Sequence, residues 1–189
     1  VIPQLDTVSP VPSTPPSHRL STADEQLVIE FTWHKDRYAH VVKSVQGQRL
    51  HSIEGTPNED WPLSPAISQL STETIDGRPT VLGVGCSGTT HYSVSVQIED
   101  DETRQPVIRF DWAARLSRPL TAEDAKSAWL GSTYQPSEQH DWKIEPLDSA
   151  IMETESSIQP VCQVQVRTVQ WAYRIRRNNS VIALRANNS

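Results

Sequence analysis

Gly83-Val-Gly-Cys-Ser-Gly88 places two nucleophile types, Cys86 and Ser87, among three glycines, and His91 follows three residues later. A thiol or hydroxyl nucleophile needs a general base within hydrogen-bond reach and N–H donors for the developing oxyanion. Cys86 or Ser87 with His91 supplies the first pair, and a glycine-rich backbone could supply the donors. The hydrolase elbow, however, is G-x-S-x-G joining a strand to a helix. Here THYSVSVQIE follows, alternating at period two. The same strand excludes a dinucleotide loop, whose G-x-G-x-x-G must open a helix to offer its N-terminus to phosphate. No Lys follows the glycines as a P-loop requires, and the sequence calls for no cofactor. The structural alternative is a strand end in which Gly83 and Gly85 admit something close. Trp112 is the expected cover, Gly88 supplies a positive φ, and His91 lies on the polar face.

Other chemistry-bearing residues are scattered. Asp60, Asp111 and Asp141 each precede a Trp. An aromatic ring beside a carboxylate suits a sugar, and Asp60, Trp61, His91 and Trp142 form the expected ligand-binding set. Glu54 and Glu59 join these aspartates as possible paired carboxylates, without a spacing that fixes their separation. His34, Asp36, His40 and His51 gather around the first predicted strands. Of these, His40 and His51 fall on adjacent strands and are the candidate metal pair, but zinc needs three or four converging ligands. Cys86 and Cys162 allow one disulfide and are expected to be buried thiols.

These residues must be carried by strands. In QLVIEFTW, Leu27, Ile29, Phe31 and Trp33 share one face. RYAHVVKSV and RLHSIEG continue a three-strand meander. AISQLSTETI and PTVLGVG flank a tight Asp76-Gly77 turn, and THYSVSVQIE and VIRFDWAARL follow. Thr121 with Asp124 predicts the cap of one short helix. VCQVQVRTVQWAYRI reads as the longest strand, with a parity slip near Arg167-Thr168 that predicts a bulge or bend. WKIEPLDSAIM and SVIALRA are further strand regions. The total is nine to ten strands and one helix, an all-β and mostly antiparallel sandwich or barrel. Residues 1–24 hold five prolines and read as a disordered tail or linker, ahead of a single domain over 25–189.

The net charge of −6 argues against general nucleic-acid binding. Residues 161–189 carry five Arg and no acid, whereas residues 120–160 carry eight acids. The two segments are expected to face one another, or the Arg side chains to lie on a solvated strand face. No apolar run is long enough to span a membrane, and no signal peptide is visible, so a soluble, cytoplasmic protein is expected.

FTWHKDRYAH, HSIEG, EDWPLSP and LGVGCSGTTHYSVSV together resemble a family of uncharacterised β-rich bacterial proteins, over roughly residues 28–116. The resemblance implies a single β-rich unit and no particular chemistry. The function expected from the sequence is a non-enzymatic binding or interaction module for a protein or carbohydrate ligand. Loops 59–65 and 85–91 and the neighbouring polar strand faces would form its surface. The alternatives are a hydrolase-like enzyme using Cys86 or Ser87 with His91, and a purely structural accessory domain.

Overall fold

Period-two alternation produces strands wherever it occurs in the computed structural model, which describes residues 14–56, 58–124, 128–135, 141–161 and 164–178. The fold is all-β, with three antiparallel sheets and no closed barrel. The first sheet runs in the order β1 (His18–Ser21), β2 (Leu27–His34), β3 (Arg37–Ser44), β4 (Arg49–His51). The second has six strands. Its members are β5 (Gln69–Ile75), β6 (Arg78–Ser87), β7 (Thr90–Asp100), β8 (Pro106–Arg115), β10 (Trp142–Pro146) and β13 (Thr168–Arg177), in the order β10-β13-β8-β7-β6-β5. A third, small sheet joins β11 (Ala150–Thr154), β12 (Ser157–Pro160) and β9 (Ser132–Thr133).

The first two sheets enclose one core. Leu27, Ile29, Phe31 and Val42 come from one side, and Val94, Val96, Phe110, Trp112, Trp171 and Tyr173 from the other. Burying this much apolar surface is the main force holding the sheets together. A polar chain is threaded through the core. The Trp112 indole donates to the Tyr173 hydroxyl (3.3 Å), which bonds the Tyr134 hydroxyl (2.7 Å), which meets His40 Nε2 (3.1 Å). The His40 ring also contacts Phe31 and Phe110. Its burial pushes the imidazole down to about 3, so it is neutral at pH 7.

Local chemistry sets the turns as the sequence predicts. Asp76 and Gly77 both have positive φ, as a two-residue type I′ hairpin demands. Gly88 has φ +55° in the Ser87–Thr90 hairpin. Thr121 and Asp124 make a reciprocal capping box, with Asp124 N donating to Thr121 Oγ1 and Thr121 N to Asp124 Oδ2. The Ala128 N–H bonds the Asp124 carbonyl.

Four expectations change. The proline-rich stretch contributes a strand, because Leu20 buries in the core, β1 pairs with β2, and Tyr38 donates to the Pro16 carbonyl. Residues 1–13 lie outside the described residues. Of the long strand expected over 161–175, Thr168 onward forms β13, while residues 164–167 do not pair. A turn with Gln165 at φ +66° ahead of β13 is the bend that the parity slip predicts. The cover over Gly83 and Gly85 is the backbone of residues 66–68 together with Leu70 and Val94, not Trp112. A Cβ on Gly85 would lie 2.2 Å from the Ala66 carbonyl oxygen. Finally, Cys86 is exposed and carries a free thiol, because β6 runs on through Ser87 and keeps Cys86 on the outer face with Val84. Cys162 and residues 179–189, with the predicted SVIALRA strand, lie outside the described residues.

The arginine-rich and acidic segments do meet, through antiparallel β10 and β13. Arg176 pairs with Glu145 at 2.8 Å, and Arg174 reaches back to Glu99 at 3.3 Å. No helix among the described residues is long and apolar enough to cross a membrane.

Candidate functional site

The outer face of the six-stranded sheet is built by register. Residues directly opposite on neighbouring strands share a face, so four rows cross β6, β7, β8 and β13. Cys86, His91, Arg115 and Thr168 form the first; Val84, Ser93, Ala113 and Gln170 the second. Leu82, Ser95, Asp111 and Ala172 form the third, and Thr80, Gln97, Arg109 and Arg174 the fourth. The central rows carry Ser93, Ser95, Ala113 and Ala172, whereas the flanking rows carry long His, Arg and Gln side chains. Short side chains between long ones leave a trough running across the strands. It encloses about 600 Å³ and ends against Asp148 and Ser149. Three inter-strand gaps make it about 14 Å long. A second hollow of about 430 Å³ shares Val84 and Ser93 and extends it to Cys86 and His91.

The charges along the two walls differ. On the fourth row the Arg109 guanidinium forks onto Asp111 with two 2.8 Å bonds, and Asp111 raises its pKa further. Arg174 is matched by Glu99. On the first row, no ion pair to a described residue engages Arg115 or His91.

The nucleophile candidates separate. Cys86 and His91 are direct cross-strand partners and both are exposed. Ser87 points the other way, is 3% exposed, and donates its hydroxyl to the Glu59 carbonyl. That burial removes Ser87 as an accessible nucleophile. It also joins the two loops singled out in the sequence, because Asp60 lies against Gly88, where even a Cβ would collide with its carboxylate. Residues 54–56 and 58–62 thus tie β3 to the β6–β7 hairpin, with Thr56 bonded to Arg37 at one end and Glu59 to Ser87 at the other.

The expected ligand set is only partly assembled. Asp60 and Trp61 lie beside the hairpin that leads into His91. Trp142 pairs with Arg177 at the opposite end of the sheet, roughly 30 Å away by the nine residues that separate His91 from Asp100. It is buried, as is Asp141, and the Trp61 indole nitrogen is also buried. All twelve aromatic residues are described and none is exposed. Trp33, Trp61 and Trp129 are half-buried and the other nine aromatic residues are buried, so no ring lies fully open to solvent. The metal pair also fails to form, because Val41, not His40, stands opposite His51. His40 faces the core and His51 faces solvent. Among the described residues no group of three His, Cys, Asp or Glu side chains could hold a metal ion.

Sequence inspection missed Arg37 and Tyr92. Arg37 is only 2% exposed and Tyr92 3%. Parity places Tyr92 inward with Val94, whereas Arg37 shares the outward parity of Val41 and Lys43, so no local signal marked its burial. Comparison with protein-family models, curated proteins and solved structures finds no match to this chain.

Proposed function

We propose that the protein is a non-enzymatic binding module whose ligand lies in the trough across the six-stranded sheet. The observation that carries this is the run of Ser93, Ser95, Ala113 and Ala172 on the outer face of central strands, sunk between rows of long side chains. Rigid strands with short side chains give a ligand close access to the sheet while losing little side-chain entropy. The floor mixes apolar contact at Leu82, Val84 and Ala113 with hydrogen-bonding groups at Ser93, Ser95 and Gln170. Without an exposed aromatic ring for sugar stacking, this mixture suits a polypeptide better than a glycan. Intrinsic tryptophan fluorescence read against peptide and glycan panels tests the reading. A peptide response that disappears in Ser93→Arg and Ser95→Arg, with melting temperature unchanged, supports it. Binding that survives both substitutions removes the trough as the seat.

The pairing of exposed Cys86 with His91 favours a second reading, a thiol-dependent hydrolase. It predicts rapid alkylation of Cys86 by iodoacetamide at neutral pH that slows in His91→Gln. Alkylation at the rate of a free cysteine in both proteins argues for the binding module alone.

A further inference from the structure

Among the described residues, one strand edge is left open without protection. Each sheet ends in an outermost strand, whose spare N–H and C=O groups can recruit another chain. β1, β4 and β9 are short, at four, three and two residues. β10 carries Lys143 and Pro146, and β11 is broken by a bulge between Met152 and Thr154. Natural sheets block edge pairing with these devices. β5, the remaining outermost strand, has none of them. It spans seven residues in unbroken register with β6, holds no Pro, Lys or Arg, and is exposed at every position but Leu70.

Register tells which groups of β5 are spare. The two-residue Asp76-Gly77 turn makes Ile75 and Arg78 a hydrogen-bonded pair, and such pairs alternate along an antiparallel ladder. Gln69, Ser71, Glu73 and Ile75 therefore bond to β6. Leu70, Thr72 and Thr74 turn their N–H and C=O groups away from it, towards the open edge, where no described strand pairs with them. Their spacing is symmetric about Thr72.

We propose that β5 pairs with β5 of a second copy of the chain, antiparallel about a two-fold axis at Thr72. Thr72 then exchanges both its backbone bonds with the partner's Thr72, and Leu70 exchanges both with the partner's Thr74. Every spare group of the edge is used. The side chains agree with this register. Thr72 meets its own copy, a favourable cross-strand pair. Ser71 faces the partner's Glu73, a hydroxyl donor opposite a carboxylate, and Gln69 faces the partner's Ile75. A register centred on Glu73 would set that carboxylate against its copy. One centred on Ser71 would leave Thr74 beyond the end of the partner strand. A two-fold contact is self-complementary and closes at two subunits. It joins the two six-stranded sheets into one. Gln69 and Ser71 stand opposite Val84 and Leu82, so the outer face continues across the axis. The inference stands whether or not the trough binds a ligand.

The test uses the whole chain. Sedimentation is followed over a concentration series, together with hydrogen exchange of the Leu70, Thr72 and Thr74 amides. A monomer–dimer equilibrium is expected, since a seven-residue edge is a small interface, and the amides should gain protection as dimer forms. Ser71→Lys should tighten the dimer about fivefold by facing the partner's Glu73, and Ser71→Glu should weaken it about fivefold. Thr72→Pro removes the central N–H at an edge position that tolerates proline, and should leave a monomer. A chain that stays monomeric up to about 1 mM, or a dimer that responds to neither Ser71 substitution, would overturn the proposal even if Thr72→Pro does not fold. Protection of these amides by an added extended peptide, with the chain still monomeric, would overturn it in favour of a strand from another protein.

Discussion

The two faces of the six-stranded sheet use the same backbone and obey opposite rules. Inward, Val94, Phe110, Trp112, Trp171 and Tyr173 interdigitate with the first sheet, and the Trp112 and Tyr173 polar atoms are drawn into the Trp112–Tyr173–Tyr134–His40 chain. Outward, one residue along each strand, the central rows hold serine and alanine beside Asp111, and the remaining charge sits at the margins. Stability is therefore concentrated on one face, and the other is free to change without loss of fold. This is how a rigid scaffold can carry an adaptable surface.

The comparison breaks most visibly at the core. Phe110→Ala should cost about 3–5 kcal/mol in denaturant unfolding, because the ring is fully buried between Trp112, Tyr173 and His40. A loss below 1 kcal/mol would mean that the inner face does not carry the stability. Gly85→Val tests the junction of the two faces. Its Cβ would meet the backbone of residues 66–68, and backbone cannot rotate aside as a side chain can. An overpacking cost of about 1–3 kcal/mol is expected.

Protonation probes the same contrast with opposite signs. His40 has a folded-state pKa of about 3, depressed by burial from 6.5. The unfolded chain takes up the proton first, so His40 makes stability fall as pH drops from 6.5 towards 3. Its slope approaches 1.4 kcal/mol per pH unit at about 25 °C. Glu54 is raised from 4.5 to about 7 by burial. Its contribution is complete below 4.5 and is lost as pH rises towards 7. Urea melts between pH 4 and 8 should show the low-pH slope flattened in His40→Leu and the neutral-pH slope flattened in Glu54→Gln. Unchanged slopes would show that neither group is buried in solution. The smallest effect is expected outside, where Ser95→Lys should alter stability by no more than about 0.5 kcal/mol.

Much of this was legible because strand parity is a local property. Alternation in THYSVSVQIE and VIRFDWAARL is enough to place Val94, Val96, Phe110 and Trp112 inward, and Asp76-Gly77 and Gly88 carry their turns in their own φ preferences. Parity even puts His91 outward, but it could not place Cys86, because the sequence does not say whether the strand ends at the glycines or runs through them. Registers between strands, and contacts between segments far apart, depend on how the whole chain closes. Only the tertiary structure sets His91 opposite Cys86, lays residues 66–68 over Gly85, and moves the proline-rich stretch into the sheet through Leu20. The sequence by itself determined which residues turn inward, since that follows from a two-residue period. The fold decided which inward residues meet, since that follows from packing two sheets against each other.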